Sequence, residues 1–443
     1  MRQSTALDIL KSGRSVFLTG APGAGKTYVL NQFIQWARTN RMHVAITAST
    51  GIASTHIDGQ TIHAWSGLGV NDTLTDSLYQ RIRKFRAHSI RLADILIIDE
   101  VSMLHAWTLD LVDEVCQRVR SVRQPFGGMQ VVMSGDFYQL PPVGRGGRDR
   151  DLIQPPPEYV LMRENYAKHR LDPDGFVTES FAWQQMNPTV CYLTEHHRQD
   201  DGALLNVLTH IREGKVDDDD RDALRSRIGM TPDEAVACTH LFPLNAQADD
   251  INRMRLSRLE GEKHSYTADG DGKPRLVERL KSNMLAPEHL ILKEGAVVMA
   301  VKNDPDGEYV NGSLGTVVGF EDDYGDYPIV EFANGNIVTM TPDVWEMTDG
   351  DKVLASVRQI PLRCAWAITI HKSQGMTLDN AVMDLSRTFA PGMGYVALSR
   401  VQTLAGLYLG GINNRAFLVS DDAVRLDGML REASEQAERE ADS

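Results

Sequence analysis

Residues 20–27 read GAPGAGKT, and these eight positions decide the fold. The apolar run Val16-Phe17-Leu18 precedes them and predicts a short buried strand, while residues 28–38 predict a helix. A strand, a GxxxxGK[ST] loop and a helix together make a phosphate cradle. The glycines let the backbone curl so that successive N–H groups face phosphate oxygens, and the helix N-terminus adds the positive end of its dipole. The cradle is expected to run through Gly23, Ala24, Gly25, Lys26, Thr27 and Tyr28. Lys26 is expected to reach the β- and γ-phosphates, and the Thr27 hydroxyl to bind Mg²⁺. The bland alternative is a glycine-rich turn that binds nothing.

Two further strand ends belong with this loop. Residues 95–100, ILIIDE, predict a buried parallel strand that ends in two carboxylates. Asp99 is expected to hold Mg²⁺ through water and Glu100 to take a proton from an attacking water. Their alternative reading is a cap for the next helix. Residues 130–134 predict another strand, followed by GDFYQLPP; Gln139 there is an amide able to orient water or sense the γ-phosphate. Residues 43–47 predict a strand that runs into the small polar loop Ala48-Ser49-Thr50-Gly51, suited to phosphate contact. The string Thr61-Ile62-His63-Ala64-Trp65 sets a polar group beside an aromatic, either to hold a nucleotide or as a capping Thr and a core Trp.

The chain has 443 residues, more than one ordinary domain. Its 42% hydrophobic and 24% charged residues are ordinary for a globular protein. No apolar run approaches the ~20 residues of a membrane span, and the first apolar run leads straight into the phosphate loop, so no signal peptide is expected. Cys116, Cys191, Cys238 and Cys364 lie far apart, without CxxC spacing, and read as reduced thiols of a cytosolic-type compartment. The net charge of −14 argues mildly against a nucleic-acid ligand. Charge is local, however: Arg81, Arg83, Lys84, Arg86 and Arg91 form a basic run, while residues 217–220 are all acidic. Each run is either a ligand track or a solvated helix face.

Residues 3–11 predict a helix, and residues 144–173, rich in Arg, Asp, Gly and Pro, a surface insertion. The α/β pattern restarts near Val190, with a helix at 203–212, a strand at 239–244 and a helix at 245–259. From 290 to 362 short β-type runs alternate with turn signals such as Asn311-Gly312 and Asn334-Gly335, which predicts a small all-β insert, a barrel. The α/β pattern returns at 365–370, 381–384, 395–400 and 406–409, and residues 433–443 read as a frayed charged tail.

The strings GAPGAGKT, TASTGIAS, ILIIDEVSM, FGGMQVVMSGDFYQLPPV, LTEHHRQ, NGSLGTVVGF, TIHKSQGMTLD and YVALSRV occur in this order and cover nearly the whole chain. On them the chain resembles the Pif-one family of DNA helicases, in superfamily one, with RecD and Dda as wider relatives. The resemblance implies an α/β fold of two RecA-like parallel-sheet P-loop domains with ATP between them. The first would cover residues 1–190, with a small wedge subdomain at about 65–86. The second would cover 191–289 and 363–443, split by the small β-barrel at 290–362. It implies an ATP hydrolase that moves 5′ to 3′ on single-stranded DNA and unwinds duplex, with G-quadruplexes and RNA–DNA hybrids as further substrates. The cofactors implied are ATP and Mg²⁺. The partners implied are single-stranded DNA, duplex junctions and proteins of replication, repair and recombination, with no membrane. A monomer in the cytoplasm, on the nucleoid in a bacterium, is the corresponding expectation.

Carried over residue by residue, Gln3 matches an adenine-reading glutamine. Lys26, Thr27, Asp99, Glu100 and Gln139 keep the roles argued from chemistry. Arg198 and Arg400 match the two arginines that the second domain presents to the γ-phosphate, and Gln374 a residue at the same domain interface. Thr50, His63, His371, Lys372 and Ser373 fall in motifs that contact DNA. From the residues alone, two other classes stay open: a nucleotide-switched assembly ATPase, and an RNA helicase, because stacking and phosphate contacts serve both nucleic acids.

Overall fold

Six short runs of the first half pair side by side as a parallel sheet. They are β1 (Val16–Gly20), β2 (Val44–Ala48), β3 (Gln60–Thr61), β4 (Ile95–Asp99), β5 (Gln130–Ser134) and β6 (Thr189–Leu193), in the order β3-β2-β4-β5-β1-β6. The computed structural model describes residues 1–443 apart from 51–52, 55–56, 58, 70, 143–156, 196–201, 233–237, 305–306, 310, 322–324, 350–351 and 442–443. Strands β1 and β4 are buried at every position, as strands covered on both faces must be.

Side chains alternate between the two faces, and each face has its own core. Phe17, Leu96, Ile98, Val131 and Met133 point to one, Val16, Leu18, Ile95, Ile97 and Val132 to the other. Helices α1 (Gln3–Lys11) and α2 (Lys26–Thr39) cover the second face with Ala6, Leu10, Leu30 and Phe33. The first face is covered by α3 (Ile62–Ser66), α4 (Asp76–Phe85), α5 (Ala87–Leu92) and α6 (Ala106–Arg120) through Trp65, Ile82, Ile90 and Val112. Helices on both faces of a parallel sheet are the expected α/β class.

The chain forms two compact units: Met1–Leu224 with Phe389–Leu404 and Asn414–Ser443, and Arg225–Thr388 with Ala405–Asn413. The boundary expected at 190 falls inside the first unit, because the run read as a restart is β6, paired with β1 along Val16–Gly20. Two C-terminal helices, in residues expected to belong to the second domain, also lie in the first unit: Met393–Leu398, expected as a helix, and Asp421–Ala441, which was not. The tail read as frayed is the end of the second of these. Ala423, Asp427, Leu430, Ser434 and Ala437 form one buried stripe, and the Ser434 hydroxyl accepts the Tyr192 N–H at 2.9 Å. Small and polar residues fill that stripe, so hydropathy did not mark it. Within the expected surface insertion, Pro157–Lys168 is a helix whose Tyr166 packs on Ala106 and Trp107 and bonds Asp110.

In the second unit, Ala367–Thr369, Thr239–Phe242, Ala381–Leu385 and Leu407–Ile412 form a second parallel sheet in that order. The β insert is there, but starts before residue 290. A five-stranded antiparallel sheet runs Ile337–Thr339, Tyr327–Phe332, Leu314–Glu321, Val297–Ala300, Leu362–Cys364. His264–Thr267 pairs with His289–Leu292, and Asp269–Gly272 joins Asp343–Asp349 and Lys352–Gln359. The string Asp269-Gly270-Asp271-Gly272 has no strand-like composition. It serves as a strand because a Cβ at Gly272 would meet the Leu354 carbonyl at 2.6 Å.

The FGG turn at 126–128 shows what its sequence is for. Phe126, Gly127 and Gly128 all have positive φ, and Arg120 ties the turn to the end of α5. Its guanidinium donates to Gly127 O at 2.8 Å, Ile90 O at 3.0 Å and Ala93 O at 2.8 Å. Arg120→Ala leaves these carbonyls without their charged donor. We expect a lower thermal unfolding midpoint, at a cost of about 1.5–3 kcal/mol; an unchanged midpoint in calorimetry would show that the turn holds without it.

Candidate active site

Strands β4, β5 and β1 are neighbours and parallel, so the loops after them emerge along one edge, where ligands bind in open α/β sheets. These are the loops that carry Asp99-Glu100, Asp136 to Gln139, and GAPGAGKT.

The phosphate loop needs its glycines. Gly20, Gly23 and Gly25 have φ of 150°, 80° and 87°. A Cβ on Gly25 would sit 2.1 Å from Gln3 Nε2. That amide donates to Ala24 O at 3.0 Å, and the Gln3 backbone N–H donates to Glu195 Oε2 at 2.8 Å. Gln3 therefore lies against the loop. Lys26 Nζ curls back to Gly20 O at 2.8 Å and Ala21 O at 3.2 Å. Burial pushes its pKa down, against the pull of Asp136, Glu100 and Asp99. Thr27 and Tyr28, at the start of α2, are both exposed, Tyr28 with 60% of its surface.

Asp99 is buried and accepts the Glu100 N–H at 2.9 Å. Burial raises its pKa. Glu100 has left-handed backbone (φ 52°, ψ 46°), a strained setting for a residue with a side chain. The Ser49 hydroxyl donates to its carbonyl at 2.6 Å. Burial, then the Asp99 charge, pushes the Glu100 carboxyl up to about 7, and Arg400 and Lys26 pull the other way. Arg400, from the segment after Met393–Leu398, is thus close enough to act on Glu100. Its Nε donates to Val396 O at 2.9 Å and its Nη2 to the Ser399 hydroxyl at 2.8 Å.

Two buried acceptors here, Glu100 Oε2 and Gln139 Oε1, have no hydrogen-bond donor among the described residues. A buried acceptor without a donor is costly, and such atoms mark a missing ligand, ion or water. The Thr27 hydroxyl and the Asp99 carboxylate are hard oxygen donors of the kind Mg²⁺ takes together with phosphate oxygens and water. The residues present fit a nucleotide with its metal.

The remaining expected residues are distributed. Thr50 caps its own turn, its hydroxyl accepting the Ala53 N–H at 3.2 Å. Thr61 and Trp65 follow the bland reading: Thr61 caps α3 and Trp65 is core. His63 lines a cavity of about 350 Å³ with Gly67, Arg81, Ile82, Phe85 and Arg86, and burial lowers its pKa. Part of the basic run thus faces a cavity. His371, Lys372, Ser373 and Gln374 lie in the second unit, on and just after the short turn Ile370–Ser373. The Ser373 hydroxyl donates to Ile370 O at 2.9 Å; burial lowers the His371 pKa and pushes Lys372 down to about 8. Arg198 lies outside the described residues.

Sequence reasoning passed over Asp136, Arg212 and Tyr395, which form one buried cluster. A local signal existed for Asp136 alone, an acid just after a buried strand like Asp99. Among the described residues, no helix is long and apolar enough to cross a membrane.

Residues 3–156 match the PIF1-like helicase family, and residues 275–320 the 2B domain of DNA helicase Pif1. The chain is 39% identical to the ATP-dependent DNA helicase Pif1 of Psychrobacter sp. (strain PRwf-1), over 99% of this chain and 72% of that one. The structure resembles the Candida albicans Pif1 helicase crystal structure with TM-score 0.84 and 32% identity, over 97% and 98% of the two chains. It resembles the Bacteroides Pif1 helicase in complex with ADP-AlF3 and single-stranded DNA with TM-score 0.81 and 28% identity, over 98% and 97%. With such identity over nearly its whole length, the chain belongs to the Pif1 family of DNA helicases.

Proposed function

We propose that the chain hydrolyses ATP at the edge of the first sheet and uses it to move 5′ to 3′ along single-stranded DNA and to unwind duplex. One observation carries the site assignment: Lys26, Asp99 and Arg400 all lie close enough to act on Glu100, whose buried Oε2 has no donor among the described residues. The Bacteroides relative, solved with ADP-AlF3 and single-stranded DNA, supports both ligands.

In this reading Lys26 neutralises charge on the β- and γ-phosphates, and Gln3 reads the base. Thr27 and Asp99 would hold Mg²⁺, which would supply positive charge to the phosphate oxygens. Glu100 accepts the proton of the attacking water, which Gln139 orients. Arg400 and Arg198 offset the charge that develops on the γ-phosphate, and Gln374 acts with them. Thr50 and His63 in the first unit and His371, Lys372 and Ser373 in the second hold the strand, so each unit has a grip. G-quadruplexes and RNA–DNA hybrids are further substrates in this reading. The active form is a monomer that works on cytoplasmic or nucleoid DNA alongside replication and repair proteins.

Matched duplexes with either a 5′ or a 3′ single-stranded tail test the direction. With ATP and Mg²⁺ only the 5′-tailed duplex is expected to separate; preference for the 3′ tail would reverse the assignment. Lys26→Ala is expected to abolish turnover, and near-normal hydrolysis would refute the site. Glu100→Gln is expected to keep ATP affinity and lose about 10²-fold or more in kcat; an ATP affinity as poor as that of the lysine variant would make Glu100 structural.

The pH dependence follows from Glu100. A base must be ionised to accept a proton, and this carboxyl is pushed up to about 7 in the free protein. The ratio kcat/KM reports the free enzyme, so it should rise about tenfold per pH unit up to about 7 and then level. A profile flat from pH 5.5 to 8 would mean that Glu100 is not the base.

A further inference from the structure

Asp136 lies on the turn that presents Gln139 and shapes it. Its Oδ1 accepts the Tyr138 N–H at 3.1 Å, and its carbonyl accepts the Gln139 N–H at 3.0 Å. Its Oδ2 faces the other way, accepting from Arg212 Nη1 at 2.8 Å and from the Tyr395 hydroxyl at 2.7 Å. Arg212, on Gly202–Glu213, is 3% exposed. Its Nη1 also donates to the Tyr395 hydroxyl at 2.7 Å, and its Nη2 to the Tyr192 hydroxyl at 2.7 Å and Asp427 Oδ1 at 3.3 Å. The guanidinium carbon sits 4.4 Å from the Tyr138 ring centre. Tyr395 is on the helix Met393–Leu398, and Arg400 is bonded back onto that helix through Val396 O. One buried cation thus joins the Gln139 turn to the Arg400 helix.

We propose that Arg212 is a positioning residue for ATP hydrolysis: it locks the Gln139 turn to the helix that carries Arg400, so that water-orienting amide and γ-phosphate arginine hold one fixed geometry. The proposal rests on the roles given above to Gln139 and Arg400. Arginine suits the task because its planar fork serves Asp136 and Tyr395 from one nitrogen and Tyr192 and Asp427 from the other. Lysine keeps the charge as a single point and cannot span both sides. The charges lie close to the site as well: Lys26 feels Asp136 and Arg212 with opposite sign, beneath the larger effect of its burial.

The test uses the full chain with saturating single-stranded oligonucleotide, reading kcat and KM for ATP and the thermal midpoint of each variant. Arg212→Lys is expected to lose about 10–100-fold in kcat, the scale set by a small misplacement of reacting groups, with KM within about threefold. Tyr395→Phe, which removes only a hydroxyl, should lose kcat in the same sense and less. Asp427→Asn, at the far end of the network, should lower the midpoint yet keep kcat within about twofold. Adding Gln139→Ala to Arg212→Lys should cost less than the product of the two separate losses, since Arg212 acts in part through that amide.

The proposal is overturned if Arg212→Lys and Asp427→Asn lower the midpoint alike while kcat of the folded protein stays at the wild-type value. Should Arg212→Lys not fold, Tyr395→Phe decides, and an unchanged kcat there overturns the proposal equally. Gln139→Ala and Arg400→Ala separate the two layers. If both keep full turnover the site assignment itself is wrong; if both lose it while Tyr395→Phe and Arg212→Lys do not, only the role of Arg212 fails.

Discussion

The alignment of three parallel strand ends is the constraint on which the first unit depends. With β5 between β4 and β1, the loops that follow them emerge at one edge. Period-two alternation sends Val16, Leu18, Ile95, Ile97 and Val132 to one core and Phe17, Leu96, Ile98, Val131 and Met133 to the other. A one-residue slip in any of these strands would exchange its two faces, so burial pins the register. Lys26, Asp99, Glu100 and Asp136 inherit their mutual placement from that register, although about 110 positions separate the first from the last.

Charge then decides what the edge can hold. Lys26, Arg212 and Arg400 face Asp99, Glu100 and Asp136: three cations and three carboxylates, all withdrawn from water to some degree. A buried charge is tolerated only when paired or bonded. Asp136 is fully bonded, to two side chains and a backbone N–H, whereas Glu100 has one oxygen without a donor among the described residues and a pKa pushed up to about 7. The two carboxylates differ in environment, and in the proposed mechanism that difference separates a holding role for Asp136 from a reacting one for Glu100. Burial likewise pulls the Lys26 ammonium toward deprotonation, and the arrival of phosphate restores what water no longer supplies.

Local signals carried the parts of this design that lie within one loop or strand. The run before GAPGAGKT, the ILIIDE strand and the helices at 3–11 and 245–258 were legible because each is a short pattern with its own punctuation. What stayed hidden was long-range. Residues 189–193 look like the start of a new half in sequence and are the edge strand of the first sheet, because pairing and not propensity assigns a strand to a sheet. The C-terminal helix escaped notice because its buried stripe mixes Asp427 and Ser434 with small apolar residues. Asp269-Gly270-Asp271-Gly272 has no strand-like composition, and it pairs as a strand where Leu354 and Ala355 approach closely. Gln3 could be matched by likeness alone; the structure shows its amide donating to Ala24 O.

The Asp136–Arg212–Tyr395 cluster is the extreme case of a hidden feature, since its members lie 76 and 183 positions apart and none carries a periodic signal. Its chemistry is also an uneconomical way to hold a core together. Desolvating an ion pair consumes most of the attraction gained, and apolar residues of equal volume commonly serve stability as well or better. What an ionic cluster supplies is discrimination. A leucine tolerates a shift of half an ångström, whereas a carboxylate shared between a guanidinium and a phenol loses both bonds if either partner moves. Five segments meet there, at residues 136, 192, 212, 395 and 427, and each is fixed by a directional bond rather than by volume alone. For a site whose orphan acceptors need a ligand at one place, angular restraint on the surrounding loops matters more than added stability.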